Sequence, residues 1–402
     1  MNRVVITGRG AISALGHSVQ EINSAMASGI CGITELEIRD KSRLKINVGA
    51  QIKNYNKSIF FSELELRFLD PFSQFALIAA KEALSESGLA LTDELREFTG
   101  VIIGTGGGGV TTQEENFRLV FQENVNKVHP FAIPKMMLNA AASNIANKYE
   151  LKGPTYSLSS ACSSSNHAIS NAYSLIRSGE TKVMIAGGSE AMLTFGSLKA
   201  WEGLRVMSKT GCRPFCSTRN GLVQGEGSAI FVLEDYDYAK QRGAHIFAEI
   251  LGCSMTSDGT DLVSPSLNGV KKAMLKSLNN AKINPDSIDY INAHGTGTKI
   301  NDRVESNAIS EIFSQTSKQP LVSSTKSMHG HVMGASGAIE LLSCIYSLNH
   351  NVIMPTVGCI DKDPEIDINV VFNESRDFVV DTALSNSFAF GGLNSVIILR
   401  TV

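Results

Sequence analysis

Short apolar runs that end in glycine alternate along this chain with stretches of helical spacing, and this alternation constrains the fold more than any other feature. Four such runs, often β-branched, lie at 3–8, 98–109, 182–192 and 289–298. The stretch 71–88 between them repeats apolar residues as a helix does. Strands that alternate with helices predict an α/β protein whose sheets are covered on both faces. In such sheets, chemistry collects in the loops at strand ends.

Composition and charge limit the class of function. The 402 residues are 43% hydrophobic and carry a net charge of −3 with both signs mixed, so we expect one globular unit without a basic face for nucleic acid or membrane phosphates. No apolar run is long enough to span a membrane, and the start resembles no export signal, which predicts a cytoplasmic protein. The seven cysteines include no CxxC pair, which favours free thiols over disulfides or a metal site.

One of these thiols, Cys162, lies between an apolar run and a stretch of helical spacing in the segment 153–179. A cysteine at a strand-to-helix turn lies at a helix N-terminus, whose free N–H groups favour the thiolate. The position therefore predicts an activated nucleophile. A small cysteine in a packed core is the alternative, because free cysteine is commonly buried.

Two further segments place histidines in loops. His294 follows a short apolar run, and Lys326, His329 and His331 precede a helix rich in glycine and alanine. One cysteine with separate histidines is a candidate nucleophilic constellation, because the partners need to meet only in space. This pattern still permits a protease or a thioesterase.

Three weaker signals favour structural roles. The segment GTGGGG at 104–109 suggests phosphate binding only superficially, because it lacks the lysine and hydroxyl of a P-loop. Asp302 and Glu305 share a helical face, where structural pairing with cations is favoured over a general-acid pair. We expect His329 to face solvent rather than to tune His331.

Four motifs in order resemble those of the elongating β-ketoacyl-acyl-carrier-protein synthases. They are SSACSSS, NAHGTGT, STKSMHGHVMGASGA and NSFAFGGLNS. RVVITGRGAISALG at the start and CRPFCSTRNGLVQGEGSAIFVLE in the middle resemble the same family, so the likeness spans essentially the whole chain. It implies the thiolase fold, with two similar mixed-sheet halves in a five-layer αβαβα arrangement. Residues 1–250 would carry the cysteine, and residues 251–402 both histidines.

The resemblance implies a decarboxylative Claisen condensation on chains carried by the 4′-phosphopantetheine of an acyl carrier protein, with no cofactor or metal of the enzyme's own. Cys162 would take the acyl chain, while His294 and His331 would bind the malonyl thioester and assist loss of carbon dioxide. Neutral imidazoles suit this role, because their N–H groups donate to an oxygen that becomes negative. The second histidine separates the chain from initiating synthases, which use Cys-His-Asn, and from thiolases, which use Cys-His-Cys.

The same resemblance implies supporting residues. Lys326 would organise the site electrostatically in a pair with Glu340. The backbone N–H groups of Cys162 and Phe390 would form the oxyanion hole, with Ala389 beside them in the gating loop. Other residues would meet the substrate: Thr296, Thr298 and Ser264 along the pantetheine arm, and Gly107 and Met137 in the acyl pocket.

Local strings indicate a branch of the family. SSNHAI, YINAHGTGTKINDRVE and SSTKSMHGH are similar to synthases of nodulation-factor acyl chains and of bacterial aryl polyenes, which handle unsaturated chains. Ala389 stands in place of a usual glycine, which predicts an altered gate. Gly107 stands in place of a branched apolar residue, which predicts a wider or rerouted acyl channel, with a flexible turn that has no pocket role as the alternative. Val263 replaces a threonine that meets the pantetheine arm. A polyunsaturated or aryl polyene chain is therefore the expected substrate, with a housekeeping long-chain synthase as the alternative.

The family likeness also predicts a dimer, either of two identical chains or with a chain-length-factor-like ketosynthase. A scaffold subunit that shapes a partner's pocket is the hypothesis from a different class, and the intact Cys162, His294 and His331 argue against it. A cysteine hydrolase is disfavoured by the absence of an evident water-activating motif.

Overall fold

Two five-stranded units meet edge to edge in the computed structural model, which describes residues 1–402. The strands are β1 Val4–Ser13, β2 Thr34–Glu35, β3 Val48–Gly49, β4 Gly100–Gly104, β5 Thr155–Leu158, β6 Val183–Glu190, β7 Gly227–Asp235, β8 Ala248–Ser257, β9 Tyr290–Asn292, β10 Leu321–Ser323, β11 Val352–Ile353, β12 Asn369–Val370, β13 Arg376–Asp377, β14 Thr382–Ala389 and β15 Leu393–Arg400. The helices are α1 Val19–Ala27, α2 Lys57–Phe60, α3 Glu63–Leu66, α4 Pro71–Ser87, α5 Asp93–Phe98, α6 Val110–Phe121, α7 Ala132–Met136, α8 Ala140–Tyr149, α9 Ser164–Ser178, α10 Phe195–Leu204, α11 Tyr236–Gln241, α12 Leu267–Ala281, α13 Lys299–Phe313, α14 Lys326–His329 and α15 Ser336–His350.

The two units repeat one topology. Their strand orders are β1-β7-β6-β4-β5 and β8-β15-β14-β9-β10, and in each unit the first two pairs are antiparallel and the last two parallel. The units join where β1 pairs with β8, and β12 extends the second unit beside β10. This repeat confirms the two similar mixed-sheet halves. The second copy begins at Ala248, so the division at residue 250 falls inside β8 and stays a prediction.

Alternating burial along the strands builds five layers. On β4, Ile102 faces the central core of 40 residues, while Val101 and Ile103 face an outer core of 27. The second sheet likewise separates the central core from an outer core of 18 residues. Helices α9 and α15 lie between the sheets, α4 and α8 cover one outside face, and α12 and α13 cover the other. The predicted five-layer α/β arrangement is confirmed.

A close approach between β4 and α9 fixes where the first half presents its thiol. A Cβ atom on Gly104 would lie 2.3 Å from the carbonyl carbon of Ser164, so only glycine fits there. Helix α9 therefore starts against the end of the strand and ends at Gly179, whose φ of +84° is left-handed. No helix combines the length and apolar character needed to cross a membrane.

Candidate active site

Cys162, His294 and His331 meet at the base of a cavity of about 390 Å³. Cys162 lies in the 3₁₀ turn before α9, His294 follows β9, and His331 follows α14. The sulfur and one nitrogen of each imidazole lie within 4.8 Å of one another, and all three side chains are buried. The structure thus brings together the three residues that the sequence marks as a nucleophilic constellation.

Hydrogen bonds fix the tautomers of both histidines. The Met333 N–H donates to Nδ1 of His331 over 3.0 Å, and the Lys326 ammonium lies 3.3 Å from Nδ1 of His294. Because Nδ1 accepts in both rings, the proton of each neutral imidazole lies on Nε2. Burial, helped by the positive charge of Lys326, lowers both histidine pKa values well below 6.5. Each ring therefore offers a neutral Nε2–H donor.

The protonation state of Cys162 corrects one prediction. Burial raises the pKa of this thiol to about 11, although Lys326 and the backbone N–H groups of Phe390 and Cys162 act in the opposite direction. The expected thiolate at a helix N-terminus is therefore wrong for the resting site, because loss of water outweighs the favourable N–H groups. The thiol keeps its proton at neutral pH, and it must lose that proton as the sulfur attacks.

All three N–H groups of the Lys326 ammonium have partners within the protein. Its ammonium donates to the carbonyl oxygen of His294 over 2.5 Å, contacts Nδ1 of the same residue, and forms an ion pair with Glu340. Both charged side chains are fully buried. With no free proton or lone pair, Lys326 organises its neighbours and cannot act as a nucleophile.

The hairpin between β14 and β15 brings Phe390 to the cavity. Its turn, 390–392, contains two glycines with left-handed φ values of +82° and +67°. The Phe390 backbone N–H faces the sulfur of Cys162, and its ring stacks on Trp201 with centroids 5.7 Å apart. Ala389 has ordinary strand geometry, so the alanine carries no backbone strain, and its methyl group instead packs with Cys162 in an apolar cluster.

The cavity wall contains the residues expected along the pantetheine arm. Ser264, Thr296 and Thr298 all line it, and the two threonine hydroxyls lie 2.9 Å apart. Val263 also lines the cavity and is half exposed, so the wall has an apolar surface where the family usually has a threonine hydroxyl. Arg205 and Lys299 add positive charge to the same wall.

The two residues predicted for the acyl pocket lie outside this cavity. A Cβ atom on Gly107 would lie 2.8 Å from Val110 and 3.0 Å from the sulfur of Met192. Those two side chains fill the space directly beside the glycine, and the wider or rerouted channel stays a prediction. Met137 is half exposed on the surface of the single chain, and its place in the acyl pocket stays a prediction.

His329 does not face solvent as predicted. It is fully buried, with Nε2 located 3.0 Å from the Thr325 hydroxyl, and burial lowers its pKa to about 3. The prediction is wrong because α14, on which it lies, is buried between the two halves, so every side chain of this short helix is enclosed.

The carboxylates of α13 hold backbone rather than face the cavity. Glu305 accepts the N–H groups of His294 and Gly295, each over 2.7 Å. Asp302 accepts the Phe215 N–H and lies 3.7 Å from the guanidinium of Arg219. The structural role favoured for this pair is therefore confirmed, but only Asp302 pairs with a cation.

Sequence reasoning missed Glu190, the last residue of β6. Its fully buried carboxylate accepts the N–H groups of Gly106, Gly107 and Gly334 and the hydroxyl of Thr105. The glycine-rich loop that superficially suggested phosphate binding thus holds a carboxylate of the protein itself. The sequence did contain a signal for this role, because Glu190 is a charged residue at the end of a strand that is otherwise mostly apolar.

One group of side chains has its donor atoms close enough together to hold a metal ion. A thiolate and two neutral imidazoles are ligands that zinc accepts, and Cys162, His294 and His331 offer them within reach of one another.

Comparison with known proteins gives a family and relatives of similar length. Residues 1–239 match the family described as the N-terminal domain of beta-ketoacyl synthases, and residues 247–359 match its C-terminal domain. Nodulation protein E of Rhizobium leguminosarum bv. trifolii is 41% identical over 400 residues, covering 100% of this chain and 99% of the relative. The 3-oxoacyl-[acyl-carrier-protein] synthase 2 of Staphylococcus aureus (strain N315) is 35% identical, covering 99% and 98%. Among solved structures, the ishigamide ketosynthase/chain length factor superposes with a TM-score of 0.95 at 29% identity, covering 100% and 99%.

Proposed function

The chain belongs to the β-ketoacyl synthase family, and we propose that it extends unsaturated acyl chains by two carbons taken from a malonyl group on an acyl carrier protein. The family places it among acyltransferases that condense carrier-bound chains. The observation that supports the reaction best is the meeting of the Cys162 thiol with two neutral imidazoles within 4.8 Å. This arrangement provides a nucleophile and two N–H donors, all on buried side chains.

The first step is transfer of the acyl chain to Cys162. The sulfur attacks the thioester carbonyl carbon, and its proton passes to the pantetheine sulfur that departs. The oxygen becomes negative and accepts the N–H groups of Cys162 and Phe390, both of which face the sulfur. When the bond to the pantetheine sulfur breaks, that thiol leaves with the proton, and the acyl chain remains on the enzyme as a thioester.

The second step forms the carbon–carbon bond. The malonyl thioester carbonyl accepts the Nε2–H groups of His294 and His331, which stabilise the enolate left when carbon dioxide departs. The enolate carbon attacks the carbonyl carbon of the acyl-cysteine, and the bond from this carbonyl carbon to the cysteine sulfur breaks. The sulfur leaves as a thiolate and takes up a proton from solvent, which restores the thiol. Lys326 fixes the ring of His294 during both steps, because it contacts Nδ1 and the carbonyl oxygen of that residue.

The carrier's pantetheine arm enters along Ser264, Thr296 and Thr298. Arg205 and Lys299 suit its phosphate, because positive side chains on the cavity wall attract an anion. The cytoplasm as location, and a dimer either of two identical chains or with a chain-length-factor-like ketosynthase, belong to the same proposal. The likeness to the ishigamide ketosynthase/chain length factor supports the dimer with a second ketosynthase chain.

Preference for unsaturated chains rests on the likeness to nodulation protein E, at 41% identity, whereas the 35% identity to a housekeeping-type synthase supports the alternative. Turnover of a saturated and a conjugated dienoyl carrier of equal length, measured side by side, tests the preference. We expect faster turnover of the dienoyl chain. Equal or faster turnover of the saturated chain would favour the long-chain fatty-acid synthase instead.

A further inference from the structure

The carboxylate of Glu190 joins the two halves of the molecule directly behind the reacting groups. One oxygen accepts the N–H groups of Gly106 over 2.6 Å and of Gly334 over 2.9 Å. The other accepts the Gly107 N–H and the Thr105 hydroxyl, each over 3.0 Å. The loop 104–109 belongs to the first half and Gly334 to the second, so one side chain holds both.

Gly334 packs closely against the loop 104–109 and the Glu190 carboxylate. A Cβ atom on Gly334 would lie 2.4 Å from the Gly106 nitrogen and 2.7 Å from the Glu190 carboxylate. The preceding residue, Met333, has a left-handed φ of +43°, which an L side chain adopts only when its surroundings impose it. Two successive N–H groups impose it here, because Met333 donates to Nδ1 of His331 and Gly334 donates to Glu190.

We propose that Glu190 is a positioning residue for the condensation, whose buried carboxylate fixes the turn 333–335 and through it the direction in which His331 donates. The inference deepens the proposed function and rests on it. Without the carboxylate, the Gly334 N–H loses its partner and the strained Met333 relaxes. The ring of His331 then turns away from the oxygen that becomes negative. The charge of Glu190 also acts on Cys162, whose pKa it raises.

Variants Glu190→Ala and Glu190→Gln test the proposal, with Glu82→Gln as the matched control. Glu82 also accepts two backbone N–H groups, those of Ala11 and Val19, but in the outer layer far from the cavity. We expect Glu190→Ala to lower kcat for decarboxylation of malonyl carrier protein by about 10- to 100-fold, with KM changed by less than about twofold. Glu190→Gln should lose about 2- to 10-fold, because its amide oxygen still accepts the Gly106 and Gly334 N–H groups. The control should keep wild-type kcat.

A second measurement separates positioning from damage to the fold. Alkylation of Cys162 by iodoacetamide, followed against pH, should persist in both Glu190 variants with its midpoint moved to lower pH, because a negative charge near the sulfur is gone. Unchanged kcat and midpoint in folded Glu190→Gln would overturn the proposal, and so would an equal loss of kcat in Glu82→Gln. If the wild type does not decarboxylate malonyl carrier protein, the proposed function fails, while the alkylation midpoint still reports the effect of Glu190 on Cys162.

Discussion

Burial favours the uncharged form of Cys162, His294 and His331: it raises the pKa of the thiol and lowers the pKa of both imidazoles. A neutral thiol beside two neutral imidazoles suits a site that binds an uncharged thioester. The charge needed for catalysis comes instead from Lys326, whose ion pair with Glu340 lies outside the cavity lining.

The histidine pKa values predict the acid limb of the pH profile. Since burial moves them well below 6.5, the imidazoles stay neutral as the pH falls through that value. Release of carbon dioxide from malonyl carrier protein, measured from about pH 8 to about pH 5, should therefore stay nearly constant past the usual titration range of histidine. A midpoint near 6.5 in a protein that stays folded would show that the histidines are solvated.

The buried pair of Lys326 and Glu340 predicts a loss of stability. Lys326→Met leaves Glu340 buried without its cation, which should cost about 3–5 kcal/mol of unfolding free energy. Decarboxylation should fall with it, because Nδ1 of His294 loses its donor. Urea unfolding and carbon dioxide release measure the two effects.

The double variant Lys326→Met/Glu340→Leu is the control for this prediction. It should regain much of the stability without regaining activity, because it removes the unpaired charge but not the need for a donor. Recovery of activity in the double variant would contradict the role given to Lys326.

At the scale of the elements, the turn between β14 and β15 predicts that alanine substitutions at two adjacent glycines, Gly391 and Gly392, have different effects on acylation. A Cβ atom on Gly392 would lie 2.6 Å from Asp258, whose carboxylate is held by Ser266 and Asn394 and cannot yield. On Gly391 the nearest atom would be 3.7 Å away, although φ is left-handed at both positions. Gly392→Ala should displace the Phe390 N–H and slow acylation of Cys162 on the order of 100-fold.

Gly391→Ala is the matched control, and it should mainly cost about 1 kcal/mol of stability. Acylation rates come from intact-protein mass spectrometry at short times, and stability from thermal unfolding. Equal acylation by the two variants would mean that the turn does not position the oxyanion hole.

The elements also show how far sequence reasoning reaches. Alternating strands and helices, and the motifs around Cys162, His294 and His331, are local patterns, and they predicted the layers and the residues that meet. The space beside Gly107 is set by Met192, 85 residues away along the chain, and no local pattern shows that neighbour. The burial of His329 and the raised pKa of Cys162 likewise depend on residues that are far away along the chain and come from the opposite half.

At the scale of the whole molecule, an apolar surface on 117–138 predicts the dimer. Phe121 is 76% exposed and Ile133 62% exposed, with other large apolar side chains around them. Phe121→Glu should therefore shift the protein toward monomers in sedimentation velocity. Ile360→Glu, at a single exposed apolar residue, should not. A wild type that sediments as a monomer would contradict the dimer of identical chains and leave pairing with a different chain.

The most direct test follows the mass of the intact protein. After incubation with an acyl carrier protein alone, we predict an acyl adduct on the wild type and none on Cys162→Ala. Addition of malonyl carrier protein should then discharge the adduct and yield a carrier-bound chain two carbons longer. An adduct that persists on Cys162→Ala, or one that is released as free acid in place of a longer chain, would contradict condensation at Cys162.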